Sequence, residues 1–217
     1  MDLEQARFNM IEQQIRPWDV LDAHVLHLLS VVKREDFVPP AHKALAFVDM
    51  EIPLPGGEVM LAPRVEARML QDLNVQKHEK VLEIGAGSGY MAALLAHRAQ
   101  RVISLELDPG LVTFARANLQ RAGVHNAEVL HLDGSQEVPP EGPFDIILLS
   151  GSLAEVPQSL LARLKLAGRL AAIIGEEPMM RATFVIRLGE TQYRTTQPWD
   201  TVAPRLRNFP EPSRFTF

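Results

Sequence analysis

The chain of 217 residues contains no cysteine. That excludes disulfides, thiolate metal ligands and a cysteine nucleophile, and it fits a reducing compartment, with the cytoplasm as the expected location. Aromatic residues are scarce at 6%, and the two tryptophans, Trp18 and Trp199, read as packing residues rather than as a substrate platform. No apolar run approaches the roughly 18–20 residues that a membrane span needs. The start, Met1-Asp2-Leu3-Glu4-Gln5, lacks the basic end and apolar core of a signal peptide, so none is expected. An excess of positive charge is also missing: the net charge is −5, which argues against nucleic acid as the main partner. Arg205, Arg207 and Arg214 do cluster near the C-terminus, where they read as a solvated tail. His24, His27, His97 and His131 fall at unrelated positions without ligand spacing, and no metal is expected. What remains, 47% hydrophobic and 23% charged, is ordinary for a globular protein with one α/β domain and a small addition.

Residues 1–75 read as a helical cap belonging to the same domain as the rest of the chain. Leu3, Phe8, Ile11 and Ile15 repeat at helical spacing until Pro17. Asp19 is a plausible N-cap for a second helix carrying Val20, Leu21, Val25, Leu28, Leu29 and Val32. Glu51 to Gly57, rich in Pro and Gly, reads as loop. Pro63 suits the first turn of a helix bearing Val65, Met69, Leu70 and Leu73. Residues 76–217 then alternate strand and helix. Strands are expected at 81–84, 102–106, 127–131, 144–149 and 168–174, with helices at 89–98, 109–122 and 156–164. Two extended stretches, 183–188 and 192–202, flank Gly189 and read as an antiparallel hairpin at one edge. The pattern predicts a doubly wound, mostly parallel Rossmann-like sheet.

In such a sheet ligands bind beyond the carboxyl ends of the strands. The first strand runs into Gly85-Ala86-Gly87-Ser88-Gly89-Tyr90, a turn that lets backbone approach a ligand and is expected to aim free N–H groups at it. A dinucleotide fingerprint places its third glycine at the sixth position, which here is Tyr90. Glu83 two places before the first glycine, followed by Gly-x-Gly-x-Gly, resembles instead motif I of class I S-adenosylmethionine-dependent methyltransferases. Glu106, 21 residues past Gly85 and followed by Leu107, sits where a carboxylate accepts from both ribose hydroxyls. Asp133 is placed to accept from an adenine amino group, with Gly134 letting the chain turn. The helix starting near Gly89 offers N–H donors to the methionyl carboxylate, and Glu83, through water, an acceptor to its ammonium. Asp145, which opens an apolar strand, reads as orienting nearby backbone.

Further segments narrow the resemblance. Val31-Val32-Lys33-Arg34-Glu35-Asp36-Phe37-Val38-Pro39, Ala46-Phe47-Val48-Asp49, Ile52-Pro53-Leu54-Pro55 and Ala67-Arg68-Met69 precede motif I. Asp133-Gly134, Pro143-Phe144-Asp145-Ile146-Ile147, Val156-Pro157 and Leu164 to Leu170 come after it in order. Together, from about Arg7 to Leu206, the chain resembles the protein-L-isoaspartate O-methyltransferases. The resemblance implies carboxyl methylation of L-isoaspartyl residues in damaged proteins, a repair reaction with S-adenosyl-L-methionine as methyl donor. It implies a protein or peptide partner, no membrane, and a monomer or homodimer.

One segment departs from the family. Where the family has Gly-Gln-Thr-Ile-Ser-Gln-Pro, with the serine hydroxyl on the substrate carboxylate, this chain reads Gly57-Glu58-Val59-Met60-Leu61-Ala62-Pro63. Leu61 stands at the serine position, and Arg64 is the nearest candidate donor to a substrate. Ser150-Gly151-Ser152-Leu153 stands where the family usually has a Thr-Ala-Ala-like run. Two other functions stay open on the sequence: a methyltransferase of the same fold with a different acceptor, such as a small molecule, and a non-catalytic S-adenosylmethionine-binding protein.

Overall fold

A computed structural model describes residues 2–211. Seven strands form one sheet in the order β5-β4-β3-β6-β7-β8-β9. They are β3 (Lys80–Ile84), β4 (Arg101–Glu106), β5 (Ala127–His131), β6 (Phe144–Leu153), β7 (Leu164–Glu176), β8 (Met179–Arg187) and β9 (Tyr193–Asp200). β3 pairs in parallel with β4 and with β6, β4 with β5, and β6 with β7, while β7–β8 and β8–β9 are antiparallel. Central strands have apolar runs because both faces are covered: Ile146, Ile147, Leu148 and Leu149 are all buried. The chain leaves β3 toward one edge and returns to β6 on the other side, so a crevice opens between the carboxyl ends of β3 and β6.

Helices α4 (Tyr90–Arg98) and α5 (Pro109–Arg121) come after β3 and β4. Asp108 caps α5 by accepting from the N–H groups of Gly110 at 2.7 Å and Leu111 at 3.0 Å, with Pro109 at the first helical position. In the cap, α1 (Leu3–Met10) continues through a wide π-helical turn over Ile11–Ile15, and α3 (Pro63–Leu73) starts at Pro63. Cap residues such as Met10, Leu29 and Leu70 share one apolar core with Val81, Leu94 and Ile146 of the sheet layers.

Several boundaries differ from expectation. The cap of α2 (Ala23–Val31) is Asp22, whereas Asp19 takes a left-handed conformation at φ 65° after Trp18. Leu3, Phe8 and Leu21, expected on apolar stripes, are exposed. The segment 51–57 is not simple loop: β1 (Ile52–Pro53) pairs antiparallel with β2 (Val59–Met60) around a tight turn at Pro55–Gly57. The helix expected at 156–164 shrinks to α6 (Gln158–Leu161), because β7 begins early, at Leu164, and passes a left-handed Ala167 at φ 61°. No helix among the described residues is long and apolar enough to cross a membrane.

One buried and one partly exposed guanidinium group join cap to sheet. Arg169 of β7 donates to the Leu73 carbonyl at 2.5 Å, the Asn74 carbonyl at 2.8 Å and Glu79 at 2.6 Å. Arg34 is fully buried; it pairs with Glu66 of α3, donates to the Leu61 carbonyl at 2.8 Å, and lies 5.2 Å from the ring centre of Tyr90, the first residue of α4. Removing one member of such a pair leaves a charge stranded away from water. Arg34→Met is therefore expected to cost about 3–5 kcal/mol in urea unfolding, and the double variant Arg34→Met/Glu66→Leu to cost less than Arg34→Met alone.

Candidate functional site

The turn after β3 is held in shape by its neighbours. Gly85 and Ala86 donate their N–H groups to the Leu105 carbonyl at 2.9 and 3.1 Å, and Gly87 donates to Glu106 Oε2 at 2.8 Å. The expectation that these N–H groups face a ligand is therefore corrected: β4 takes them, because the turn must be braced against the adjacent strand. The N–H groups of Ser88, Met91 and Ala92 have no partner among the described residues, and Ser88 and Met91 line a small cavity beside the turn. Gly85 has φ 96°, and a Cβ there would meet Leu206 at 3.0 Å. A Cβ on Gly134 would lie 2.7 Å from Ile84, so only glycine allows this close approach to β3.

The carboxylates expected from the sequence converge here. Glu106, mostly buried at the end of β4, accepts from Gly87 on one oxygen and from Asp108 N–H at 3.0 Å on the other, so each oxygen retains accepting capacity. Asp133 accepts from the Ser135 N–H and hydroxyl at 3.0 and 2.7 Å and from Asn208 at 2.7 Å. Burial pushes its carboxyl up, but these hydrogen bonds outweigh it and hold the group below the usual carboxylate range. Glu83 is fully buried beneath the turn, where the hydroxyls of Ser104 and Ser150 donate to it at 2.6 and 2.8 Å. Burial dominates there and pushes its carboxyl up to about 8. Asp145 orients backbone as expected, accepting from the Lys80 N–H at 2.8 Å.

A cleft of about 570 Å³ open to solvent is lined by Gly85, Gly87, Glu106, Leu107, Asp133 and Gly134. S-adenosylmethionine fits the lining: free lone pairs on Glu106 for vicinal hydroxyls, Asp133 for an amino group, apolar Leu107 on the same cleft, and bare backbone at Gly85. Ala86, Ser88 and Gly89 complete the turn, with Ala86 and Ser88 on the small cavity rather than on this cleft.

Other lining residues were not anticipated. Residues 203–209 cross the carboxyl end of β6 as a strap: Ser152 N–H donates to the Pro204 carbonyl at 2.8 Å and Leu206 N–H to the Ser152 carbonyl at 3.0 Å. Leu206, Arg207 and Phe209 wall the cleft. Arg207, expected in a solvated tail, pairs with Glu58 at 2.9 Å, and Arg205 with Glu211 at 3.2 Å. Arg214 lies outside the described residues. The signal for the strap was faint, a triplet spacing of Ala203, Leu206 and Phe209.

The Val59–Ala62 segment passes beside the turn. Val59 lines both the cleft and the small cavity, and Leu61 lines the cavity. Arg64 does not join them. It pairs with Asp49, lies 4.5 Å from the ring centre of Trp18 and lines a separate pocket with Arg68 and Trp199. The helical geometry after Pro63 turns its side chain to a pocket between the cap and the end of β9.

Residues 5–199 match the model of the protein-L-isoaspartate(D-aspartate) O-methyltransferases. The chain belongs to the protein-L-isoaspartate(D-aspartate) O-methyltransferase family. Relatives named protein-L-isoaspartate O-methyltransferase include one from Methanoculleus marisnigri, 41% identical over 79% of this chain and 78% of its own. A second, from Syntrophobacter fumaroxidans and named protein-L-isoaspartate O-methyltransferase 1, is 39% identical over 81% and 82%. A Plasmodium falciparum structure assigned to this family of methyltransferases, in complex with S-adenosyl-L-homocysteine, superposes with a TM-score of 0.80 over 93% of this chain and 98% of its own at 21% identity, which shows the shared fold. The match to the protein-L-isoaspartate(D-aspartate) O-methyltransferase family spans the helical cap as well as the sheet.

Two measurements check this geometry. Glu106→Ala should weaken S-adenosylhomocysteine binding in calorimetry roughly 10- to 150-fold, the value of a hydrogen bond to a charged group. Glu83 binds its proton more tightly folded than unfolded, so its contribution to stability falls as pH rises from 4.5 toward about 8 and then levels off. The ligand-free protein should accordingly lose on the order of a few kcal/mol over that window, and Glu83→Gln should lose less, in urea unfolding.

Proposed function

We propose that this chain transfers the methyl group of S-adenosyl-L-methionine to the free α-carboxylate of L-isoaspartyl residues in polypeptides. The family match over residues 5–199, which includes the cap as well as the cofactor half, carries the reading. The shared apolar core supports treating residues 1–75 and 76–217 as parts of one domain. The net charge of −5 supports a polypeptide rather than a nucleic-acid partner, and the lack of cysteine supports a cytoplasmic setting.

The bound donor supplies a methyl group already activated on a sulfonium. An isoaspartyl carboxylate is ionised at neutral pH and is itself the nucleophile, so neither metal nor general base is needed. What the protein must provide is alignment and a dry site. The lone pairs that Glu106 retains beside Gly87 and Asp108 support a role in holding ribose hydroxyls. Asp133 is placed for the adenine amino group, sharing Oδ2 with Asn208. Leu206 and Phe209 exclude water from one side, and Val59 and Leu61 from the other.

The apolar side chains of Val59, Leu61 and Ala62 favour a second reading, the same transfer to a less polar acceptor. Labelled methyl should pass to an isoaspartyl peptide and not to its aspartyl counterpart. Absence of transfer above background would reject the first reading. No transfer to the peptide even after Leu61→Ser would favour the second.

A further inference from the structure

We propose that the Ser150 hydroxyl holds the acceptor carboxylate at the junction between the cofactor cleft and the Val59–Leu61 segment. The inference rests on the proposed isoaspartyl activity and names the group that orients its substrate. An acceptor carboxylate brought into this site loses water and needs a donor in exchange. The segment that runs past the turn supplies none from its side chains, since Val59, Met60, Leu61 and Ala62 are all apolar.

Four residues line both the cleft and the small cavity: Val59, Gly85, Gly87 and Ser150. They mark where the two spaces meet, and Ser150 has the one polar side chain among them. It lies in β6 just after the buried run Ile146–Leu149, where the pairing with β7 shifts register, and its Cβ is 3.7 Å from where a Cβ on Gly85 would sit.

The arginines nearby are committed, and Ser88 lies on the small cavity but not on the cleft. Arg34 is fully buried on Glu66 and the Leu61 carbonyl. Arg64 faces Asp49 and Trp18. Arg207 is paired with Glu58. Ser88 is buried and accepts from the Tyr90 N–H at 3.3 Å.

Ser150 has a single proton, which points at Glu83 Oε1 at 2.8 Å. Glu83 is buried without a cationic partner among the described residues and keeps its proton at neutral pH. The Glu83 O–H can then donate to Ser150 Oγ while Ser104 still donates to Oε2. That frees the serine proton for the acceptor, with every group satisfied.

The test is calorimetric binding of an isoaspartyl peptide to protein saturated with S-adenosylhomocysteine, alongside methyl transfer. Ser150→Ala should weaken peptide binding and lower kcat/KM roughly 10- to 150-fold. S-adenosylhomocysteine affinity should stay near that of the unaltered protein, and Ser150→Thr should keep both activities. Peptide binding unchanged in Ser150→Ala overturns the inference. So does a loss of S-adenosylhomocysteine affinity equal to the loss for peptide, which would make Ser150 a cofactor contact. An unaltered protein that neither binds nor methylates the peptide rejects the isoaspartyl reading and this inference with it. Methylation with an unaffected Ser150→Ala rejects this inference alone.

Discussion

A guanidinium with no access to water must find its partners inside the protein, and Arg34 finds them in three different pieces of chain. Glu66 comes from α3, the Leu61 carbonyl from the acceptor segment, and the Tyr90 ring from the first residue after the glycine turn. Satisfying one charge thus fixes the cap, the acceptor segment and the cofactor turn relative to one another. Phe37 packs edge-on against the same ring at 5.4 Å, so the cap's apolar side supports the polar arrangement. A buried pair of this kind contributes little net stability against an apolar substitute, because desolvation offsets the attraction. Its value is geometric: a methyl transfer without acid, base or metal depends on alignment.

The cofactor cleft is built on the same logic of bracing from neighbours. Gly85, Ala86 and Gly87 spend their N–H groups on β4, and the carboxylate of Glu106 both shapes the turn and faces the cleft. The strap from Ala203 to Phe209 closes the opposite wall through backbone bonds to Ser152 and through Arg207 and Asn208, which reach Glu58 and Asp133. One wall of the cleft is therefore tied both to the acceptor ribbon and to the group proposed to read adenine.

Much of this was legible in the sequence because it depends on local rules. Apolar runs such as Ile146–Leu149 mark buried parallel strands, Asp108-Pro109 marks a helix start, and Gly85, Gly87 and Gly89 mark a backbone that side chains would obstruct. Glu106 and Asp133 are expected from strand ends in a doubly wound sheet. What was not legible depends on contacts far apart in the chain. Asp19 and Asp22 are equally good caps by residue type, and the left-handed turn at Asp19 decides between them. The early start of β7 requires Ala167 in an unusual conformation. The direction of Arg64 is set by Asp49 and Trp18, and the strap by its bonds to β6. The N–H groups of Gly85, Ala86 and Gly87 face β4 rather than the cleft because an adjacent parallel strand competes for them.

The proposed reaction requires one cleft to present a sulfonium methyl to a carboxylate beside Val59 and Leu61. A crystal structure with S-adenosylhomocysteine bound tests it most directly. Ribose hydroxyls are expected on Glu106, the adenine beside Asp133, and the sulfur facing the junction of Val59, Leu61 and Ser150. A ligand seated elsewhere, or one whose sulfur points to open solvent away from that junction, would contradict it.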